Sequence, residues 1–150
     1  MATIDSNAII QVAIVVRDIE KAAAAYASLF GLEMPEIRNA FPSITYRGER
    51  VKTKALLCAF PMGGVVLELV QPDAVETSWK EYLDAHGEGV HHIGVMVEDL
   101  DGAKAAMAEH GAGTRQFGGA GWGSYSVMDT EALLGVNFSL KCNTPVVEES

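Results

Sequence analysis

Positive charge is scarce in this 150-residue chain: 11 Lys and Arg stand against 20 Asp and Glu, for a formal net charge of -9. Binding to a phosphate backbone relies on Lys and Arg displacing condensed counterions, so nucleic acid is not an expected partner. Cysteine is nearly missing as well. Cys58 and Cys142 both fall in apolar, strand-like segments, and 49% hydrophobic content supplies a core without any need for a disulfide. Buried, reduced thiols are the expectation. No apolar run approaches the roughly 20 residues that span a bilayer, and Met1 to Asn7 lack a basic region leading into an apolar one. A soluble, cytoplasmic protein without membrane partners is therefore expected.

What the chain does contain is an internal repeat. At an offset of 81 residues, Gln11-Val-Ala-Ile-Val-Val-Arg-Asp18-Ile-Glu-Lys-Ala22 lies over His92-Ile-Gly-Val-Met-Val-Glu-Asp99-Leu-Asp-Gly-Ala103. Each copy opens with a β-branched run, reaches an Asp suited to capping a helix, and continues into Ala-rich sequence of high helix propensity. The first helix is expected over about Ile19 to Phe30 with a stop at Gly31, the second over about Leu100 to His110 with a stop at Gly111. Shorter extended segments follow each helix and close on Gly64-Val-Val-Leu-Glu-Leu69 and Gly135-Val-Asn-Phe-Ser-Leu140.

The pattern predicts an α+β fold of two tandem βαβββ modules, over residues 9–72 and 90–142, forming a curved mixed sheet around one cleft. Residues 1–8 read as an N-terminal extension and 143–150 as a frayed tail. Residues 73–89 read as a linker in which Ser78-Trp-Lys-Glu81 has the form of a capping box, opening a short helix to about His86. The segment Gly118-Gly-Ala-Gly-Trp-Gly123 lacks the Lys and the strand-to-helix setting of a phosphate loop and reads as a mobile cleft edge carrying Trp122.

Side chains alternate faces along a strand, so residues related by the repeat occupy equivalent faces. Glu68, set among Val66, Leu67, Leu69 and Val70, would lose several kcal/mol of hydration without a cation or donor to compensate it. Its equivalent in the second closing strand is Ser139. First-strand and last-strand residues of both copies thus define one set: Gln11, Glu68, His92 and Ser139. Imidazole and carboxylate are standard ligands for divalent Zn, Co, Ni, Mn or Fe, and a Gln amide oxygen is a weaker neutral donor. By the same parity His91 points to the face opposite His92, and a two-residue slip of the last strand would present Asn137 or Lys141.

These residues resemble the vicinal oxygen chelate superfamily, which includes glyoxalase I, methylmalonyl-CoA epimerase, extradiol dioxygenases and bleomycin-resistance proteins. The resemblance spans roughly residues 9 to 142. It rests on the strand Gln11 to Asp18, Phe30-Gly-Leu32, Leu67-Glu-Leu69, Gly89-Val-His-His-Ile-Gly94, and Met128-Asp-Thr-Glu131 followed by Gly135. In the family's metal enzymes each module's first and last strands supply one ligand each, which implies Gln11, Glu68, His92 and Ser139 here. The family usually has Glu where this chain has Ser139, and in its isomerases that Glu also moves protons.

The resemblance implies a divalent-metal-dependent isomerase or epimerase that enolises a small carboxylate or acyl-thioester. Arg47, Arg50, Arg115 or Lys141 are available to meet the substrate's negative charge. With Ser139 in place of Glu, the general base must come from Glu49, His91, Tyr125 or Asp129. Glu49 is favoured by analogy with the epimerases, and Tyr125 is second. A glyoxalase I-like lyase acting on glutathione adducts is an alternative, as is a metal-free small-molecule or antibiotic-binding protein. An extradiol dioxygenase would need two His and a carboxylate where Gln11 and Ser139 stand. A homodimer is implied by resemblance alone.

Overall fold

The computed structural model describes residues 2–39 and 41–146. The chain opens with β1 (Ile9–Val15), α1 (Ile19–Phe30), β2 (Ser43–Tyr46), β3 (Glu49–Lys52), β4 (Leu56–Met62) and β5 (Val65–Gln71). α2 (Ser78–His86) leads to β6 (Gly89–Met96), α3 (Leu100–Glu109), β7 (Thr114–Ala120), β8 (Gly123–Met128), α4 (Glu131–Leu134) and β9 (Asn137–Cys142). All nine strands form one mixed sheet in the order β3-β2-β7-β8-β9-β6-β1-β5-β4, curled into a half-barrel. No helix among the described residues is long and apolar enough to cross a membrane.

Local chemistry sets the helix ends. The Asp18 side chain accepts from the Lys21 amide and Asp99 accepts from that of Gly102, each satisfying a backbone donor that the first helical turn leaves unpaired. Gly31 closes α1 in the left-handed region, at φ 64°, where a Cβ would be strained. At α2 the cap lies one residue earlier than the sequence suggests: the Thr77 hydroxyl accepts from the Lys80 amide. Ser78 is drawn elsewhere, because its amide and its hydroxyl both donate to Gln116 Oε1, at 2.9 and 2.7 Å. Glu81 likewise turns to Arg47 and Arg115 instead of reaching back to a capping residue.

The repeat is visible in the strand register. In the parallel β1–β5 pair Ala13 lies opposite Glu68, and in the parallel β6–β9 pair Gly94 lies opposite Ser139. The antiparallel β1–β6 pair joins the two halves and sets Gln11 against Gly94 and Ala13 against His92. The β2–β3 hairpin leaves its own half: β2 pairs with β7, through Thr45 with Phe117 and Tyr46 with Gln116, covering what would be an open edge. Arg38 makes an isolated bridge with Leu57 of β4.

The segment expected as a mobile glycine-rich edge is instead regular, with β7 and β8 paired from Gly118–Tyr125 to Ala120–Gly123. Trp122 sits at its turn, 5.5 Å from the Phe41 ring. The tail is tied as far as Val146, whose amide donates to the Ala120 carbonyl at 2.8 Å. The rest of the segment expected to fray, residues 147–150, lies outside the described residues. At the other end the Ala2 amide donates to Glu109 and Ile4 packs beside the α3 core.

Apolar packing divides by sheet face. One face carries Ile19 and Ala23 of α1 on Cys58, Phe60 and Leu69, and Ala103 and Met107 of α3 on Val95 and Leu140. The opposite, concave face holds Val15, Ile44, Leu57, Val70, Tyr125 and Val127 around Trp79 of α2. Cys58 and Cys142 are buried and free of any disulfide.

Candidate functional site

The concave face turns polar beyond the Trp79 cluster. Gln11 (β1) bridges two neighbours: its Nε2 donates to Glu68 Oε2 at 2.9 Å, and its Oε1 lies 3.0 Å from His92 Nε2. Gln11 and His92 are buried, while Glu68 is half-buried. Ser139 is fully buried, and its hydroxyl has no hydrogen-bond partner among the described residues. Three of the four positions marked by the repeat are thus joined directly, and the fourth stands on the same face beside Gly94.

A β-bulge in β6 alters the parity argument for His91. Ala13 pairs with His92 and Ile14 with Val90, so His91 is an extra residue in the ladder. The bulge turns its ring toward the same side, and His91 Nδ1 lies 2.7 Å from His92 Nδ1. His91 also meets the Tyr82 ring edge-on and faces the Ser78 backbone. Burial holds its pKa down at about 4, and burial holds His92 well below the ordinary value, with Lys141 and any proton on His91 further opposing a charge there. Both imidazoles are neutral at physiological pH.

Lys141 is the residue whose importance the repeat does not reveal. It lies two residues beyond Ser139 on the same strand face, and its ammonium stands 5.5 Å from the centre of the Tyr125 ring. Gly94 makes the room. A Cβ there would come within 3.0 Å of Gln11 Oε1 and 3.2 Å of Lys141 Cε, so both side chains fill the space that a larger residue would occupy. Glu68 is pushed above the ordinary carboxylate range by burial, opposed by the Lys141 charge and the Gln11 hydrogen bond. Lys141 is pushed down by burial and held up by Glu68.

Gly94→Ala should therefore crowd Gln11 and Lys141 and lower stability by roughly 1–2 kcal/mol in urea unfolding. Gly113→Ala, where a Cβ meets open space, is the control. Equal losses in the two variants would show that Gly94 does not make this room.

The other candidates fall elsewhere. Glu49 is exposed on β3, opposite Tyr46 in the hairpin. The Tyr125 hydroxyl accepts from Gln116 Nε2 at 2.9 Å, and burial raises its pKa. Arg47 and Arg115 both pair with Glu81, Arg115 also pairs with Asp129, and Arg50 donates to the Ser43 hydroxyl.

A cavity of about 340 Å³ opens next to Glu68, bounded by Pro35, Glu36, Arg38, Phe41 and Leu57 among others. Arg38 was not singled out by sequence. Arg38 is exposed, lines this cavity and has no ion-pair partner among the described residues.

A family model described as the Glyoxalase/Bleomycin resistance protein/Dioxygenase superfamily matches residues 10–125. The chain belongs to this superfamily. Among solved structures, methylmalonyl-CoA epimerase from Mycobacterium tuberculosis is 20% identical with a TM-score of 0.64, covering 98% of this chain and 93% of that one. A hypothetical protein from Bacillus halodurans is 16% identical with a TM-score of 0.68, over 97% and 99% of the two chains. A serine-to-threonine variant of Streptomyces coelicolor methylmalonyl-CoA epimerase, in complex with 2-nitronate-propionyl-CoA, is 18% identical with a TM-score of 0.66, over 97% and 100%. At these identities the likeness establishes the fold. No curated protein matches the chain.

Superfamily members typically bind a divalent metal. Among the described residues, however, no group of three or more His, Cys, Asp or Glu side chains is placed to hold one. The cleft offers one carboxylate, one amide and the His92 imidazole, whose two ring nitrogens are already engaged by His91 and Gln11, with a neutral hydroxyl at Ser139. Lys141 already supplies a positive charge to Glu68. A divalent ion at Glu68 would be repelled by that ammonium and would have to displace the hydrogen bonds that Gln11 already makes to Glu68 and His92. This donor set does not fit a resident divalent ion.

Proposed function

We propose that this superfamily member is an epimerase- or isomerase-type enzyme that enolises a small carboxylate or acyl-thioester in the concave cleft. The observation that carries this reading is Glu68: a carboxylate held by Gln11 at the wall of a cavity, with its proton affinity raised by burial. A carboxylate of raised pKa is suited to take a proton from a carbon next to a carbonyl and to return it. In this reading Glu68 removes the α-proton, the C–H electron pair moves into an enolate, and Glu68 returns the proton to the same carbon; the configuration inverts when the planar enolate turns its other face to Glu68 before reprotonation. Arg38 at the cavity is placed to meet an anionic part of the substrate. The fold shared with epimerases solved with acyl-CoA ligands supports the substrate class.

The test is exchange of the α-proton of a panel of acyl-thioesters and small carboxylates in deuterated water, followed by NMR. Wild-type protein should catalyse exchange on at least one of them. Glu68→Gln should slow it by roughly a hundredfold or more with an unchanged far-UV spectrum. Undiminished exchange in Glu68→Gln would remove Glu68 from the mechanism. Binding without exchange across the panel would make the cleft a binding site, the reading that Ser139 favours.

A further inference from the structure

We infer that the Lys141 ammonium is the built-in cation of the cleft, offering its N–H groups directly to a carboxylate or carbonyl oxygen of the ligand. Three observations meet at this residue. Its Cε packs over Gly94 beside Gln11 Oε1, the amide that ties Glu68 to His92. Its ammonium lies by the Tyr125 ring and acts electrostatically on both Glu68 and His92. Ser139, one turn of the pleat away on β9, brings no charge, so Glu68 and Lys141 balance each other and a further divalent cation would leave the cleft strongly positive.

An ammonium on a flexible stem is a compact point charge with three donors, so it can serve one or two oxygens of a carboxylate, or the carbonyl oxygen of a thioester as charge builds there. The inference concerns which cation the cleft holds. It stands whether or not the bound ligand is enolised.

The experiment uses the full chain and cobalt(II) alone as probe, so its readout is independent of any activity. Protein purified without chelator is assayed for metal content and titrated with cobalt while visible absorbance reports coordination. Wild type should hold no stoichiometric metal and should show no saturable cobalt spectrum, and Lys141→Arg, which keeps the charge, should behave alike. Lys141→Met leaves Glu68, Gln11 and His92 without an internal cation and should bind one equivalent at least tenfold more tightly than wild type. Adding Ser139→Glu should tighten it further, and adding His92→Ala should abolish the spectrum. Stoichiometric metal in the wild-type protein, or cobalt binding equal in wild type and Lys141→Met, would overturn the inference. The wild-type measurements decide by themselves if Lys141→Met does not fold.

Discussion

Acidification from pH 6.5 toward 4 is expected to cost the fold roughly 3 kcal/mol through His91 alone, with His92 adding in the same direction. The His91 imidazole has a pKa of about 4 in the folded chain against an ordinary 6.5, because burial disfavours its charged form. Above pH 6.5 it is neutral in both states and the fold keeps its full stability. As the pH falls, the unfolded chain takes up the proton first, so stability drains away between 6.5 and 4. Glu68 acts with the opposite sign: its folded pKa is raised, so the folded state regains relative stability as the pH falls toward the unfolded value. Urea unfolding followed by circular dichroism across this range should therefore show a steep acid loss in wild type and a shallower one in His91→Gln. Glu68→Gln should show a steeper loss. Identical pH slopes for wild type and His91→Gln would mean that the histidine pair is hydrated.

The contrast between Glu68 and His91 shows which features a sequence discloses. A side chain's face follows from counting by two along a strand, and the repeat extended that count from Glu68 to Ser139. Both hold matching positions in their parallel pairs, against Ala13 and Gly94. The caps at Asp18 and Asp99 were equally legible, since a helix start needs an acceptor within three residues. His91 was not, because one extra residue in β6 breaks the count, and a bulge leaves no local mark in Val90-His91-His92. Ser78 failed for another reason: Gln116, 38 positions away, competes for its hydroxyl and leaves the cap to Thr77. Lys141 was within reach of the reasoning. It shares Ser139's face, and the lack of a side chain at Gly94 opens space for both Lys141 and Gln11. Arg38 could not be found, since its place at the cavity depends on the bridge to Leu57.

Trp79→Ala is expected to be the most damaging single substitution, at about 4 kcal/mol. Trp79 is 1% exposed and is the side chain by which α2 closes the concave face, packed with Val15, Ile44, Leu57, Val70 and Val127 and 6.4 Å from the Tyr125 ring. These residues come from both halves of the sheet, so removing the indole opens a cavity that no single element can collapse to fill. The indole Nε1 is buried and has no hydrogen-bond partner among the described residues, so the loss comes from packing. Trp79→Phe should accordingly recover more than half of it. About 4 kcal/mol is a large share of the roughly 5–15 kcal/mol that holds a domain folded. The same plug supports the polar end of the face, where Tyr125 lies opposite Lys141 in the β8–β9 pair. Half-exposed Trp122 remains as a fluorescent reporter of unfolding in the variant. A loss below about 1.5 kcal/mol for Trp79→Ala would show that α2 is not seated in the concave face as described.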